Sequence, residues 1–527
     1  MKIPLFFSDD APHPRFRGPL RGDLIVILSL GLLKLLIHLF TNQNYGFHRD
    51  EFLYMAMGDH LAWGYFEVPP AIAAWSAFIR ATLGESLWAL RLPPALYGTG
   101  VVILTGLLVR EMGGRRFAQG LAMLLAIIAP VFLRSATLFQ PVVFDQFYWL
   151  LGCYLLARWI DDRSKNYLWL IIGVVAGLGI LNKYTLFFWG AGVLVGLILT
   201  INRRALLTPW PWLGGLVALL VASPNLIWQH QHDWPVFAHA AELISTQLNH
   251  GSPFNFIIEQ FLMPLPTSAP FLLGGLWFFF VREGGKPFRL FGWMYFTILA
   301  MMLYLNAKAY YLAPMFPVLF AGGAVFTERL IRQHLLFWLK PVLIATILVP
   351  AVILLPYGLP VLPVNLLTDY CQVMARYPGL DGPLRDNQGE LGLIPMDYAD
   401  MLGWEERVDS VRAVVDSLPP EVRVQTTIFT DNYGQAGAIR VFGGKDFPPA
   451  YTFGSSYRYW PPAPDSAKAI ITVGFHLDDL RPYFGKIRLK GFLDNPLWVR
   501  EEQKVAIYLC TKPNHTPLEL WKTATGN

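Results

Sequence analysis

The tetrapeptide His48-Arg49-Asp50-Glu51 follows a long apolar run and the polar stretch Thr41-Asn42-Gln43-Asn44, in a chain that otherwise keeps charge away from its hydrophobic runs. An adjacent carboxylate pair is costly to hold beside a membrane surface, so its presence points to chemistry on something the membrane holds. Three more charges break apolar sequence: Asp145 in DQFYWLLGCYLLA, Lys183 in GLGILNKYTLFFW and Lys308 in NAKAYYLAPMFP. Carboxylates beside lysines on one membrane face describe a site for an anionic lipid head group and a nucleophilic hydroxyl. Asp50 would take the hydroxyl's proton. Lys183 and Lys308 would neutralise the charge of that head group where water is partly excluded. Glu51, His48, Arg49 and Tyr54, the last one helical turn beyond Asp50, would orient acceptor or base. Plain structural readings compete: Asp50 and Asp145 could cap helices, and the lysines could snorkel from helix ends to water.

The elements that must position these groups follow from composition. With 54% hydrophobic, 15% aromatic and 15% charged residues over 527 positions, the chain cannot expose its apolar surface to water and reads as a polytopic α-helical membrane protein. Its formal charge of +5 is small for the length, and no basic tract points to nucleic acid. Apolar runs of spanning length fall at 23–41, 90–109, 117–133, 142–160, 168–182, 184–200, 210–228, 264–281, 290–306, 309–327 and 338–356. At about 20 apolar residues per crossing, they predict about 11 transmembrane helices.

Alternate loops separate by charge. One set carries Arg15/Arg17/Arg21, Arg110/Arg115/Arg116, Arg158/Arg163/Lys165, Arg203/Arg204, Arg282/Lys286/Arg289 and Arg329/Arg332/Lys340, and by the positive-inside rule it is cytoplasmic. The other set, which includes the acidic loop 42–89, the joins at Lys183 and Lys308 and the tail, faces outward. The N-terminal segment 1–22, with Asp9 and Asp10, lacks a basic n-region and a cleavage site, so the first helix is expected to be an uncleaved anchor. The domain 23–356 then holds the membrane helices. In its first loop, 52–70 (FLYMAMGDHLAWGYFEVPP) reads as an interfacial amphipathic helix, a Trp-Gly-Tyr turn and a third carboxylate, Glu67, before a double proline.

From about 357 the composition becomes that of a soluble α/β domain, 357–527. Alternation predicts strands at 421–430, 468–473 and 504–510, and helices at 410–418 and 435–440. The loop 446–465 (DFPPAYTFGSSYRYWPPAPD) could stack on sugar rings or cover a cleft, or simply pack its aromatics on its own domain. Cys153 lies in a helix; Cys371 and Cys510 lie in the outward tail, where an oxidising compartment would let them pair, against the alternative of two buried thiols. No Cys/His cluster has zinc spacing, and no Gly-rich phosphate loop or G-x-S-x-G elbow occurs.

The segments HRDEFLYMAMGDHLAWGYFEVPP, DQFYWLLGCYLLA, GLGILNKYTLFFW and AKAYYLAPMFPVLFAGGA resemble the membrane glycosyltransferases of the protein O-mannosyltransferase and aminoarabinose transferase superfamily, in particular its bacterial dolichyl-phosphate-mannose-protein mannosyltransferase-like branch. The resemblance covers roughly 20–356. It implies the C-type glycosyltransferase fold in a bacterial inner membrane, with site and tail facing the periplasm. It also implies inverting transfer of a hexosyl or pentosyl group from a polyprenyl-phosphate (undecaprenyl- or dolichyl-phosphate) donor to an extracytoplasmic acceptor hydroxyl on a glycolipid, glycan or protein. Carried over position by position, Asp50 matches the catalytic Asp of the first loop, Glu51 its neighbour, Asp145 a second outward acid, and Lys183 and Lys308 the lysines near the carrier phosphate; Glu67 and Tyr311 are expected as supporting residues. Where aminoarabinose transferases read Glu-Lys-Pro-Pro, this chain has Glu67-Val68-Pro69-Pro70, which removes a phosphate-binding lysine and argues against that donor and the lipid A acceptor. A phosphate leaving group needs no acid to protonate it. The resemblance demands no metal, although the carboxylates could recruit a divalent one.

Two other classes compete. A secondary transporter would show repeated halves and midplane charges, and no internal repeat is evident. A non-catalytic membrane assembly subunit is the reading if Asp50 proves dispensable.

Overall fold

The computed structural model describes residues 20–245, 252–377, 379–386, 388–463 and 467–526. Asp9, Asp10, Arg15 and Arg17 of the N-terminal segment, and part of the aromatic loop 446–465, lie outside the described residues. The chain divides into two compact units, one from the described parts of Met1–Asn42, Arg91–Trp234 and Ala240–Val361, the other from Gln43–Leu90, Pro235–His239 and Leu362–Asn527. The first loop, expected within the membrane domain, therefore belongs with the tail.

In the helical unit each of the predicted apolar runs carries a helix, but their lengths differ. Among the described residues five helices are long and apolar enough to cross a membrane: Gly22–Thr41, Leu87–Glu111, Pro209–Gln231, Ala309–Gln333 and Leu339–Gly358. The number rises to seven if the pairs Leu186–Ile198 with Ile201–Leu207 and Pro253–Leu262 with Pro266–Phe280, bent by 108° and 84°, each count as one span. Proline and Thr/Ser breaks shorten several runs below spanning length, as in Arg116–Ile128, which stops just before Pro130. In the first helix Ile25, Leu28, Leu32 and Phe40 stay exposed, a surface suited to lipid and not to water.

Close helix contacts rest on small residues. A Cβ on Gly177 would fall 2.8 Å from Ala218 O and 2.6 Å from Val221 Cβ, so the Gly173/Gly177 pair lets Leu168–Asn182 lie directly against Pro209–Gln231. The basic loop ends also converge. Arg110 pairs with Asp23 at 2.7 Å, Glu328 accepts from Arg115 N at 2.7 Å, and Arg282 donates to Gln333 at 3.2 Å. A further charge lies in the middle of the first apolar run. Lys34 is fully buried, and its ammonium donates to Phe132 O (3.1 Å) and Ile127 O (3.4 Å), carbonyls on either side of the break between the Arg116–Ile128 and Pro130–Ser135 helices.

The second unit is built on a five-stranded sheet, order β2-β1-β3-β5-β4, formed by β1 (Thr426–Thr430), β2 (Ala450–Tyr451), β3 (Ala469–Val473), β4 (Phe484–Asp494) and β5 (Lys504–Pro513). β1 pairs parallel with β2 and β3, while β5 runs antiparallel to β3 and β4. β3 is buried throughout, as a central strand should be. β4 was not predicted, because KIRLKGFLD reads as a charged surface; it is the exposed edge strand, where Lys486, Arg488 and Lys490 oppose pairing with another chain. The strand expected over 421–430 begins only at Thr426, because Pro420–Arg423 makes a helical turn.

Two expectations are corrected. The helix starting at the acidic pair, Arg49–Asp59, is not an amphipathic surface helix: Glu51 through Met57 are all buried, since it packs against both Ala71–Leu83 and Tyr433–Phe442. Ala71–Leu83, opened after Pro70, is the helix that keeps an exposed apolar residue, Phe78. The Cys371–Cys510 bridge is absent. Both thiols are free and buried, Cys510 inside the sheet core with Phe429 and Ile470 and Cys371 within the Val364–Met374 helix, and burial pushes both above the usual thiol range.

Candidate functional site

In the second unit the first-loop acids stand at the start of Arg49–Asp59, where the chain enters a helix after an extended residue. His48 is the N-cap; its Nδ1 accepts from Asp50 N at 3.1 Å, and Glu51 reaches back to accept from His48 N at 2.8 Å, which completes a capping box. Glu51 is fully buried in this role. The pair therefore divides: Glu51 fixes the helix start, and Asp50, half-buried, is the acid this helix presents. Tyr54, a turn further, is buried.

Two residues that no motif had marked complete the group. The Tyr433 hydroxyl donates to Asp50 Oδ1 at 2.8 Å. Asp400, 1% exposed, lies 3.3 Å from Arg49 Nη2 and 3.7 Å from His48 Nε2. Burial pushes the Asp400 carboxyl up, and Arg49 and His48 pull against that. Burial likewise works against the Arg49 cation, but Asp400, Tyr433 and Asp50 outweigh it and hold its pKa above the usual guanidinium value. Arg49 is thus a fixed positive charge beside Asp50. Tyr433 opens its helix behind the N-cap Asn432, whose side chain accepts from Gly434 N (3.0 Å) and Gln435 N (3.2 Å).

Glu67 is engaged elsewhere, accepting from Ser456 N at 2.8 Å and from the Ser456 hydroxyl, and desolvation pushes its carboxyl above the ordinary range. It ties the first loop to the aromatic segment. There Trp460 stacks on His60 at 4.4 Å, Arg458 covers the Phe66 ring at 3.9 Å and Phe453 stacks on Phe429 at 5.0 Å, so these rings pack on their own unit.

In the helical unit the structure gathers Asp145, Lys183 and Tyr311. Asp145 Oδ1, buried, accepts from Thr185 Oγ1 (2.7 Å) and Trp149 Nε1 (3.1 Å). Lys183 caps the end of Leu168–Asn182, and its ammonium lies 4.6 Å over the Tyr311 ring and 5.1 Å over the Tyr310 ring, with Asp145 and Lys308 as its charged neighbours. Lys308 opens the 3-10 segment Ala309–Met315 that supplies both tyrosines. Neither Tyr310 nor Thr185 stands out in the sequence by itself. Their signal was only adjacency, since each lies within two residues of a lysine that interrupts an apolar run. Among the described residues no cluster of three or more His, Cys, Asp or Glu is placed to hold a metal ion.

The chain is similar in fold or in sequence to several known proteins. The chain is similar to ArnT from Cupriavidus metallidurans bound to undecaprenyl phosphate, with TM-score 0.58 and 15% identity over 93% of this chain and 98% of that one. It is also similar to the Archaeoglobus fulgidus oligosaccharyltransferase, with TM-score 0.51 and 12% identity over 85% and 68% of the two chains. The architecture is that of the C-type membrane glycosyltransferases. The family model for dolichyl-phosphate-mannose-protein mannosyltransferase matches residues 67–228. The lipid A galacturonosyltransferase RgtD of Rhizobium johnstonii is 27% identical over 227 residues, 42% of this chain and 46% of that relative, so the match spans less than half the relative's length. The family model covers less than a third of the chain, so what these likenesses share over the whole length is the fold.

Proposed function

We propose that the protein is an inverting membrane glycosyltransferase that moves a sugar from a polyprenyl-phosphate carrier to an acceptor hydroxyl outside the cytoplasm. The observation that carries this reading is Asp50: a half-buried carboxylate presented at a helix N-terminus, oriented by a tyrosine hydroxyl and set beside a cation that cannot lose its proton. Asp50 takes the acceptor's proton as the new bond forms, and the anomeric carbon inverts as the phosphate departs. The ammonium groups of Lys183 and Lys308 stabilise that phosphate, with Asp145 and the tyrosine faces keeping Lys183 in place. The likeness to an ArnT bound to undecaprenyl phosphate supports the carrier class. The similarity to RgtD keeps a lipid A-type glycolipid among the acceptors, even though Val68 stands where aminoarabinose transferases have a lysine.

If Lys183 and Lys308 hold the carrier phosphate, Lys183→Met or Lys308→Gln weakens binding of undecaprenyl phosphate to the purified protein by about 1.5–3 kcal/mol, the usual value of a charge-assisted hydrogen bond. Unchanged affinity in both variants rejects the assignment.

The proposed topology puts the first loop and the tail on the extracytoplasmic face of a bacterial inner membrane, with about 11 crossings once the shorter apolar helices are counted with the long ones. Ala62→Cys and Lys445→Cys, both at exposed positions, are then labelled by an impermeant maleimide added outside. Labelling of the two from opposite sides contradicts this topology.

A further inference from the structure

We infer that Tyr433 is a positioning residue for the base, so that turnover depends on a side chain from the tail; the inference rests on the assignment of Asp50 above. The Tyr433 hydroxyl donates to Asp50 Oδ1 at 2.8 Å, and its ring lies 5.8 Å from the Arg49 guanidinium, itself paired with the buried Asp400.

The placement is over-determined by packing. The helix Tyr433–Phe442 lies on Arg49–Asp59 through two glycines. A Cβ on Gly434 would come 2.6 Å from Arg49 Cγ and 2.7 Å from the Trp404 ring, and one on Gly437 would come 2.5 Å from Phe52 Cβ. Phe52 is in turn held edge-on by Trp404 (5.5 Å) and Phe442 (5.9 Å). The phenol therefore reaches the carboxylate from a rigid helix start. A carboxylate with one oxygen held keeps its plane fixed, and a base in fixed orientation transfers a proton more effectively than one that rotates.

Tyr433→Phe keeps the ring and removes only the donor. The readouts are the initial rate at which native membranes form the glycoconjugate lost on deleting the protein, undecaprenyl phosphate binding by the purified protein, and its melting temperature. The expected result is a rate lower by about tenfold, the loss of one hydrogen bond to a charged group, with binding and melting temperature unchanged. In an Asp50→Asn background the same substitution should cost nothing further, because the group it positions no longer acts as a base. A full rate in Tyr433→Phe overturns the inference, as does an equal loss in both backgrounds or a loss that tracks a lowered melting temperature. The two readings fail separately: turnover retained by Asp50→Asn overturns the assignment of the base, whereas a dead Asp50→Asn beside a fully active Tyr433→Phe overturns only the role of Tyr433.

Discussion

Asp50→Asn is expected to lower the rate of sugar transfer by about 10²- to 10⁴-fold, the range for losing a general base, with little change in carrier binding. Asparagine has the size of aspartate and can still accept from Tyr433, so the arrangement around Tyr433, Arg49 and Asp400 survives while proton acceptance is lost. The neighbouring acid serves as the control. Glu51 is closed inside the capping box, so its replacement acts through the helix start and appears as lost stability before it appears as lost chemistry. Initial rates and melting curves of the two variants separate these outcomes.

The second large effect is on stability. Arg407 is 3% exposed, lies between the Trp404 and Trp498 rings at 4.3 and 4.1 Å, and pairs at 3.4 Å with Glu502, which is fully buried. Glu502 also accepts from Gln435 Nε2 at 3.0 Å and from Asn432, the residue that caps the Tyr433 helix. Arg407→Met keeps most of the volume between the tryptophans but leaves a buried carboxylate without its cation, which costs about 3–5 kcal/mol of the second unit's stability. Adding Glu502→Gln should recover much of that loss, because the uncompensated charge is then gone. Urea denaturation followed by tryptophan fluorescence measures both; equal stability of Arg407→Met and wild type would show that the pair does not hold the unit together.

How much of this was legible in the sequence depended on whether the signal was local. The apolar runs, the helix beginning near Gln435 and the strands at Ala469–Val473 and Lys504–Pro513 were readable because periodicity of burial is written in neighbouring residues. The lysines at 183 and 308 and the acids at 50 and 145 stood out because charge is rare in such surroundings. Asp400 and Tyr433 did not. Each is ordinary in its own segment and becomes informative only when folding brings it against Arg49 and Asp50, more than 300 positions away in sequence. The burial of Arg49–Asp59 was misread for the same reason: the helix that covers it comes from the distant tail, so a run of unbroken burial looked like a surface helix. Lys34 carries no local signal, because the carbonyls that satisfy it are exposed by a helix break near Pro130, far along the chain.

The most direct test of the account is mass spectrometry of envelope glycolipids, glycans and glycoproteins from cells carrying the wild-type protein, no protein, or the Asp50→Asn variant at matched expression. One glycoconjugate is expected whose sugar is present with the wild type and absent both without the protein and with Asp50→Asn, while the lipid-linked donor accumulates. The same sugar, at wild-type abundance, in the Asp50→Asn cells would contradict it.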